Sequence, residues 1–340
     1  MALGSGGKKN LRSSPGAHYE TNPAEYPDIA GASLSVSPPV LELAEPPSLA
    51  VELLRAAVAR RPARPGEVPR LEVRVRHFTP DPRQLALYRE VCGFPADGHL
   101  PLPFPQVLAA PLHLALLNRP EFPYRLLGMI HVRNHIRQHR RLAEGASLSV
   151  LAWVEGQREV RLGRELDLHT HVEEGGVLVW SAITTMLRRL PGTSERPREE
   201  RPAGATEEDA LFGNSRPAPW TVPEDTGRRY ARASGDYNPI HLHALTARLF
   251  GFPRAIAHGM WTVGRCVAEI GEAAEAPALT LSSVFRRPLL LPSRVVFQTA
   301  AQRDGAVAYR VKSEDGQPHV MGELTPGADA PESTYSARTV

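Results

Sequence analysis

Two short stretches hold residues whose types and spacing suit acid–base chemistry. Asp236 and His241 stand on either side of the turn sequence Asn238-Pro239. Pro is favoured at the first position of a helix, so the spacing predicts a loop carboxylate followed by an imidazole in the first helical turn. Such a turn can fold both side chains toward one point. A water held between them could give up a proton and present its oxygen to a substrate. The second stretch, His258-Gly259-Met260, opens a pattern in which Met260, Val263, Val267 and Ile270 recur at three- and four-residue steps, one face of a helix. The free N–H groups at its start, with the helix dipole behind them, suit a developing oxyanion, and glycine there lets a carbonyl approach the backbone closely. Carboxylate, imidazole and glycine-led helix start together suffice for acid–base chemistry on a carbonyl compound.

Taken singly, Asp236 reads as a loop acid and His241 as a polar helix-start residue; the combination is what points to catalysis. His258 could touch substrate or satisfy nearby backbone groups. Tyr230 and Trp261 read as packing residues, and Cys266 as a small apolar filler within the helix.

Gly235-Asp236-Tyr237-Asn238-Pro239-Ile240-His241, followed by Ile256-Ala257-His258-Gly259-Met260, resembles the MaoC-like hydratases, also called type 2 or (R)-specific enoyl-CoA hydratases. Both motifs occur in the family's order and separation. The resemblance covers about residues 215–326 well, and the first half only as a divergent relative. It implies an α+β hotdog fold, an antiparallel sheet wrapped around one long central helix. It also implies a hydro-lyase of fatty acid metabolism that adds water reversibly to a trans-2-enoyl thioester, giving an (R)-3-hydroxyacyl thioester. On that resemblance Asp236 and His241 match the catalytic pair, Gly259 the oxyanion donor, and Asn238 the residue that shapes the turn. His258, Met260, Arg286 and Arg287 are expected around the substrate, the arginines toward a coenzyme A phosphate. The implied substrate is an acyl-CoA or an acyl carrier protein thioester. Coenzyme A enters only as part of the substrate, and no metal or redox cofactor is required. Two other readings stay open: a thioesterase, which attacks the carbonyl instead of C3, and a non-catalytic acyl-thioester-binding hotdog protein, which would not need Asp236, His241 and Gly259 all intact.

Stepping along the whole chain, 340 residues with 42% hydrophobic content fit two globular domains rather than one. No apolar run approaches a membrane span, and the start, MALGSGGKKN, lacks the apolar stretch of a signal peptide. Cys92 and Cys266 do not make a disulfide framework, so a reducing cytoplasm is the expected compartment. A net charge of +3 is no nucleic-acid footprint, while the pI near 9.0 would not repel the phosphates of coenzyme A. Lysine occurs only at 8, 9 and 312, so arginine carries nearly all the positive charge.

Composition divides the chain. Residues 1–45, rich in Gly, Ser and Pro, read as a disordered leader. Residues 46–69 read as a helix and connector. Within them an amphipathic helix is expected over 48–61, capped by Ser48, with Arg55, Arg60 and Arg61 toward its C-terminal end; packing on the domain is favoured over lying on a membrane. Residues 70–190 form a degenerate hotdog, 191–218 a charged, Pro-rich linker, 219–326 the catalytic hotdog, and 327–340 a disordered tail. A two-hotdog chain imitates the usual hotdog dimer internally, so monomer and homodimer are both compatible with it.

An internal repeat supports the tandem arrangement. Tyr88-x-x-x-Cys92-Gly93-Phe94 matches Tyr230-x-x-x-Ser234-Gly235-Asp236 at an offset of 142, and His139-Arg140-Arg141 matches Phe285-Arg286-Arg287 at 146. Phe94 stands where the second copy has Asp236, and His99 falls in register with His241 without that carboxylate. Pro101, Pro103, Pro105 and Pro111 are expected to interrupt the first copy's central helix. The first copy therefore reads as catalytically silent, supplying an apolar channel for an acyl chain from Phe104, Val107, Leu108, Leu112 and Leu116, which could equally be core. His131, His135 and His139 recur at every fourth position, as helical metal ligands sometimes do, but the repeat places 131–139 in extended structure and no acid or cysteine joins them at ligand spacing. Alternating apolar residues predict strands over 147–154, 164–172 and 177–186, then 279–287, 293–302, 306–313 and 318–325, with Asp304-Gly305 and Asp315-Gly316 as hairpin turns.

Overall fold

Alternation sets the strands, and left-handed glycines stop the helices that lie across them. A computed structural model of the chain describes residues 40–59, 61, 66–126, 128–189 and 207–327. The first unit contributes, in order, β1 (Leu41–Leu43), α1 (Leu49–Val58), β2 (Leu71–Phe78), α2 (Pro82–Cys92), α3 (Phe104–Asn118), β3 (Met129–Gln138), β4 (Leu148–Val160), β5 (Gly163–Glu174) and β6 (Val177–Arg189). The second contributes α4 (Glu207–Leu211), β7 (Ala218–Val222), α5 (Thr226–Ser234), α6 (Ala244–Arg248), α7 (Gly259–Ile270), β8 (Leu279–Phe285), β9 (Ser293–Ala301), β10 (Val307–Ser313) and β11 (Pro318–Pro326). The strands expected from alternation are present to within a few residues, and Asp304 (φ 58°) with Gly305 (φ 75°) turns β9 back into β10.

Among the described residues, eleven strands share one sheet, in the order β1-β2-β4-β5-β6-β3-β8-β11-β10-β9-β7. Apart from the parallel β1–β2 pair, every neighbour is antiparallel. Read outward from the β3–β8 seam, where Asn134 opposes Ser283 and Ile136 opposes Leu281, the two halves have the same connectivity. The repeat is therefore structural: α2 matches α5, and α3 matches α7. Helices α2 and α5 meet through Tyr88 and Tyr230, whose ring centroids are 6.1 Å apart. Each ends on a left-handed glycine, Gly93 (φ 88°) and Gly235 (φ 77°), as the matched Cys-Gly and Ser-Gly pairs require.

One expectation fails. The prolines do not break the first unit's central helix: α3 runs for 15 residues straight through Pro111. Pro101 and Pro103 precede it, and Pro105 sits in its first turn, where the N–H would have no partner anyway. An interior proline costs about 3 kcal/mol. Burial of Phe104, Val107, Leu108, Leu112 and Leu116, all at most 6% exposed, offsets it several times over at about 1.5–3 kcal/mol each.

Helix α1 forms where amphipathicity placed it. Ser48 occupies the N-cap position without a side-chain cap bond. The helix is pinned to the end of α3: Asn118 Nδ2–H donates to the Glu52 backbone oxygen and to its Oε2, both at 2.8 Å, and Arg61 donates to the Leu117 and Arg119 carbonyls at 2.9 Å. Leu49 packs against Gly235. No helix among the described residues is long and apolar enough to cross a membrane. The leader up to residue 39 lies outside the described residues, as do residue 190, 191–206 of the linker and the tail from 328; residues 207–211 of the linker form α4, with Asp209 paired to Arg310 at 3.0 Å.

His131 and His135 sit in β3 and His139 just past it, in extended structure as expected. His169 and His171 of β5 flank the Trp153 ring at 4.9 and 4.7 Å.

Candidate active site

The loop that carries Asp236 and His241 is wound by its own side chains. Past Gly235, the Asn238 N–H donates to Asp236 Oδ1 (3.1 Å), and the Ile240 N–H to Asn238 Oδ1 (3.4 Å). These successive Asx turns feed a 3-10 turn over Pro239–His241, with Pro239 at its first position and His241 in it. The turn expected from Asn238-Pro239 thus forms for the expected reason.

His241 is buried, and its Nδ1 lies 2.8 Å from the Ile256 carbonyl. A carbonyl only accepts, so Nδ1 carries the proton and Nε2 keeps its lone pair. Burial holds the His241 pKa below its ordinary value, against the opposing pull of Asp236 and the Ile256 bond. His258 is the N-cap of α7 and only 3% exposed. Its Nε2–H donates to the backbone oxygen of Asp236 at 3.0 Å. Burial first, then the neighbouring His241, pushes its pKa down to about 3, so the ring is neutral. Its 3.7 Å approach to Asp236 Oδ2 is therefore not an ion pair. His258 Nδ1 is buried without a hydrogen-bond partner among the described residues.

Ligand atoms of Asp236, His241 and His258 all lie within 4.8 Å of one another. One water can bridge groups at that separation with two bonds of about 2.8 Å. The same donors are close enough together to hold a metal ion. The Asp236 side chain remains 37% exposed, so the group opens to solvent on one side.

Gly259, the first residue of α7, follows His258 directly and is half-buried. A Cβ built there would sit 2.7 Å from Phe285 Cε1, so the phenyl ring closes one side of the helix tip and glycine alone fits beneath it. Phe285 also meets His131, with ring centroids 4.6 Å apart. A residue of the first unit thereby stands behind the second unit's site.

The structure brings Asp236, His241, Asn238, His258 and Gly259 together. Met260 is half-buried at the edge of the core. Arg286 and Arg287 are exposed and follow Phe285, their backbone tied to His319. Phe104 and Leu108 lie in the first unit's core, Phe104 edge-on to Tyr88. In the first unit Phe94 stacks on Tyr88 where the second has its carboxylate. His99 does have an acid nearby, but Asp97 is committed to Arg141 and Arg89, and Arg89 also to Glu144. A cavity of about 50 Å³ lies over Phe94, Asp97 and Arg141, not at the Asp236 group, and the Asp97–Arg141 pair forms part of its wall. Sequence reasoning assigned no site role to Phe285, which meets the site from a distant strand, or to the Ile256 carbonyl within the second motif, and gave His258 less than its central place. Its position directly before Gly259 was the available clue.

Comparison with known proteins fits this geometry. The family described as MaoC like domain matches residues 205–319. The chain is 34% identical over 288 residues to 3-hydroxyacyl-thioester dehydratase X of Mycobacterium tuberculosis, covering 82% of this chain and 98% of that protein. A crystal structure of HtdX from Mycobacterium tuberculosis superposes with a TM-score of 0.64 at 32% identity, covering 75% of this chain and all of that one. Enoyl-CoA hydratase 2, peroxisomal, of Arabidopsis thaliana is 31% identical over 163 residues, 45% of this chain and 52% of that protein. With such identity over nearly the whole length of a shorter dehydratase, and two hotdog units with the motif kept in the second, the chain belongs to the MaoC-like hydratase and dehydratase family.

Proposed function

We propose that this chain, a hydratase or dehydratase of fatty acid metabolism, adds water reversibly to a trans-2-enoyl thioester and yields the (R)-3-hydroxyacyl thioester. The convergence of Asp236 and His241 beside the tip of α7, with Nε2 as the His241 nitrogen left with a lone pair, carries the reading. The thioester oxygen takes a hydrogen bond from the Gly259 N–H, which makes C3 electrophilic. Water donates one hydrogen bond to the Asp236 carboxylate and one to His241 Nε2, and its oxygen bonds to C3. The Asp236 carboxylate takes the proton that leaves, and one proton is returned to C2 on the same face, so H and OH add across the double bond with no change of oxidation state. Dehydration is the same path reversed. The reaction balances without metal or redox cofactor. His258 lies against the group as a neutral ring, and Arg286 and Arg287 are offered to the phosphates of coenzyme A.

The test is hydration of crotonyl-CoA, followed by loss of enoyl absorbance, with free thiol and product chirality measured in parallel. Asp236→Asn is expected to lower turnover by about 10²–10⁴-fold with an unchanged melting temperature. Thiol release would mean a thioesterase. Binding of enoyl-CoA without turnover at any chain length would mean a binding protein.

A further inference from the structure

The Asp236–His241–His258 group has a property that acid–base chemistry alone does not call for. Each imidazole has one nitrogen anchored on a backbone carbonyl: His241 Nδ1–H donates to Ile256 (2.8 Å) and His258 Nε2–H to Asp236 (3.0 Å). Each anchor fixes a tautomer and leaves the opposite nitrogen with its lone pair. Histidines that ligate metals are held in this way, with the second N–H given to a carbonyl or carboxylate. His241 Nε2 is one such free nitrogen. His258 Nδ1 is the other; it belongs to a residue only 3% exposed and has no hydrogen-bond partner among the described residues. Buried polar atoms are rarely left so.

Asp236 supplies an anionic oxygen. Its Oδ1 accepts the Asn238 N–H (3.1 Å), while Oδ2 stands 3.7 Å from His258 Nε2. Two neutral imidazoles and one carboxylate are the donor set of three-ligand zinc sites that keep a fourth position open, and imidazole suits zinc better than magnesium or calcium. Among the described residues this is the one group of three with ligand atoms so close; His131, His135, His169 and His171 join no such group. The set is looser than a preformed zinc site. Its ligand atoms lie within 4.8 Å of one another, against about 3.4 Å between ligands on a tetrahedral zinc. The two rings, stacked face to face, must also tilt before their lone pairs meet at one point. Asp236, with its side chain partly exposed, is the member that can move to close the gap. A site that has to be drawn together binds more weakly than a structural zinc site, so the expected Kd is about 10 µM.

We propose that this group also binds a zinc ion reversibly, in place of the water, and that the bound ion shuts the site down. Zinc takes the Asp236 oxygen that receives the water's proton and the His241 lone pair that orients the water, so no base remains. The inhibition rests on the hydratase reading; the binding does not. The test uses the full chain, stripped with EDTA and dialysed, with zinc binding measured by equilibrium dialysis and crotonyl-CoA hydration followed in parallel. Wild type is expected to bind one zinc per chain and to lose about tenfold in turnover at about 100 µM zinc, with EDTA restoring it. Asp236→Asn and His258→Ala, each checked by circular dichroism, are expected to weaken zinc binding at least tenfold, and His99→Ala to leave it within twofold. Magnesium at the same concentration is expected to leave wild-type turnover within twofold. If His258→Ala fails to fold, Asp236→Asn decides alone. No saturable zinc binding, binding that survives both substitutions, equal inhibition by magnesium, or turnover raised by zinc would overturn the proposal and leave the hydratase reading standing. Zinc bound through Asp236 and His258 in a wild type that hydrates no enoyl-CoA would instead remove the hydratase reading and the inhibition with it, and keep the zinc site.

Discussion

The imidazole rings of His241 and His258 lie face to face, with centroids 3.6 Å apart and planes 23° from parallel. Two stacked rings cannot both be cationic at that distance. The pair resolves this by assigning each proton: His241 Nδ1–H goes to the Ile256 carbonyl and His258 Nε2–H to the Asp236 carbonyl. His258 thus holds the Asp236 backbone and covers one face of the His241 ring.

His258→Ala should lower kcat by about 10–100-fold with little change in KM. Water entering the vacated space should also let the depressed His241 pKa rise toward its ordinary value, so the acid limb of the kcat–pH profile moves to higher pH. His258→Gln, which keeps a donor at similar reach, should recover part of the rate. A uniform loss with an unmoved acid limb would show that His258 only fills space.

Gly259→Ala places a methyl 2.7 Å from Phe285 Cε1, so the ring or the helix tip must shift. Overpacking of this kind costs about 1–3 kcal/mol, and a misplaced oxyanion donor should lower turnover by about 100-fold. The second change Phe285→Leu should restore much of the activity. Melting temperature and kcat measured on single and double variants decide this; no recovery would mean that the methyl acts on substrate directly.

The first unit should be dispensable for chemistry. His99→Ala removes the residue in register with His241, yet kcat is expected to stay within twofold, because Phe94 stands in the carboxylate's place and Asp97 is paired with Arg141. A large fall in kcat at an unchanged melting temperature would count against a silent first unit.

Acid should destabilise the fold. Burial pushes the pKa of His113 and His258 down to about 3 and that of His131, His135 and His171 down to about 4. Unfolded, each returns to about 6.5. Stability from these groups is therefore full above pH 6.5 and lost as pH falls toward the folded values. At pH 5 unfolding should therefore take up protons at these sites, and stability should be lower than at pH 7. Urea unfolding at pH 7 and pH 5 measures it; equal stabilities would contradict the burial seen here.

Local chemistry was legible in the sequence and distant packing was not. The Asp236–His241 geometry follows from Asn238-Pro239, which dictates its own turn, and the strands follow from alternation bounded by Asp-Gly pairs. The repeat read from Tyr88 and Tyr230 emerges as two units of one connectivity. The proline-rich start of α3 misled because tertiary burial outweighed a local penalty. The β3–β8 seam left no clue: Arg133, Asn134 and His135 lack a strand's apolar alternation, and their partners on β8 come from far along the chain. For the same reason the Phe285–Gly259 contact, which fixes the helix tip, could not be read from either residue's neighbours.

The seam has an evolutionary corollary. Because β3 and β8 are joined by main-chain hydrogen bonds, which are indifferent to side-chain identity, neither half needs the other's motif in order to stay attached. One half can carry Phe94 and the Asp97–Arg141 pair where the other carries Asp236, with the junction unaffected. A duplicated ancestor built on this junction could divide its labour without ever risking separation.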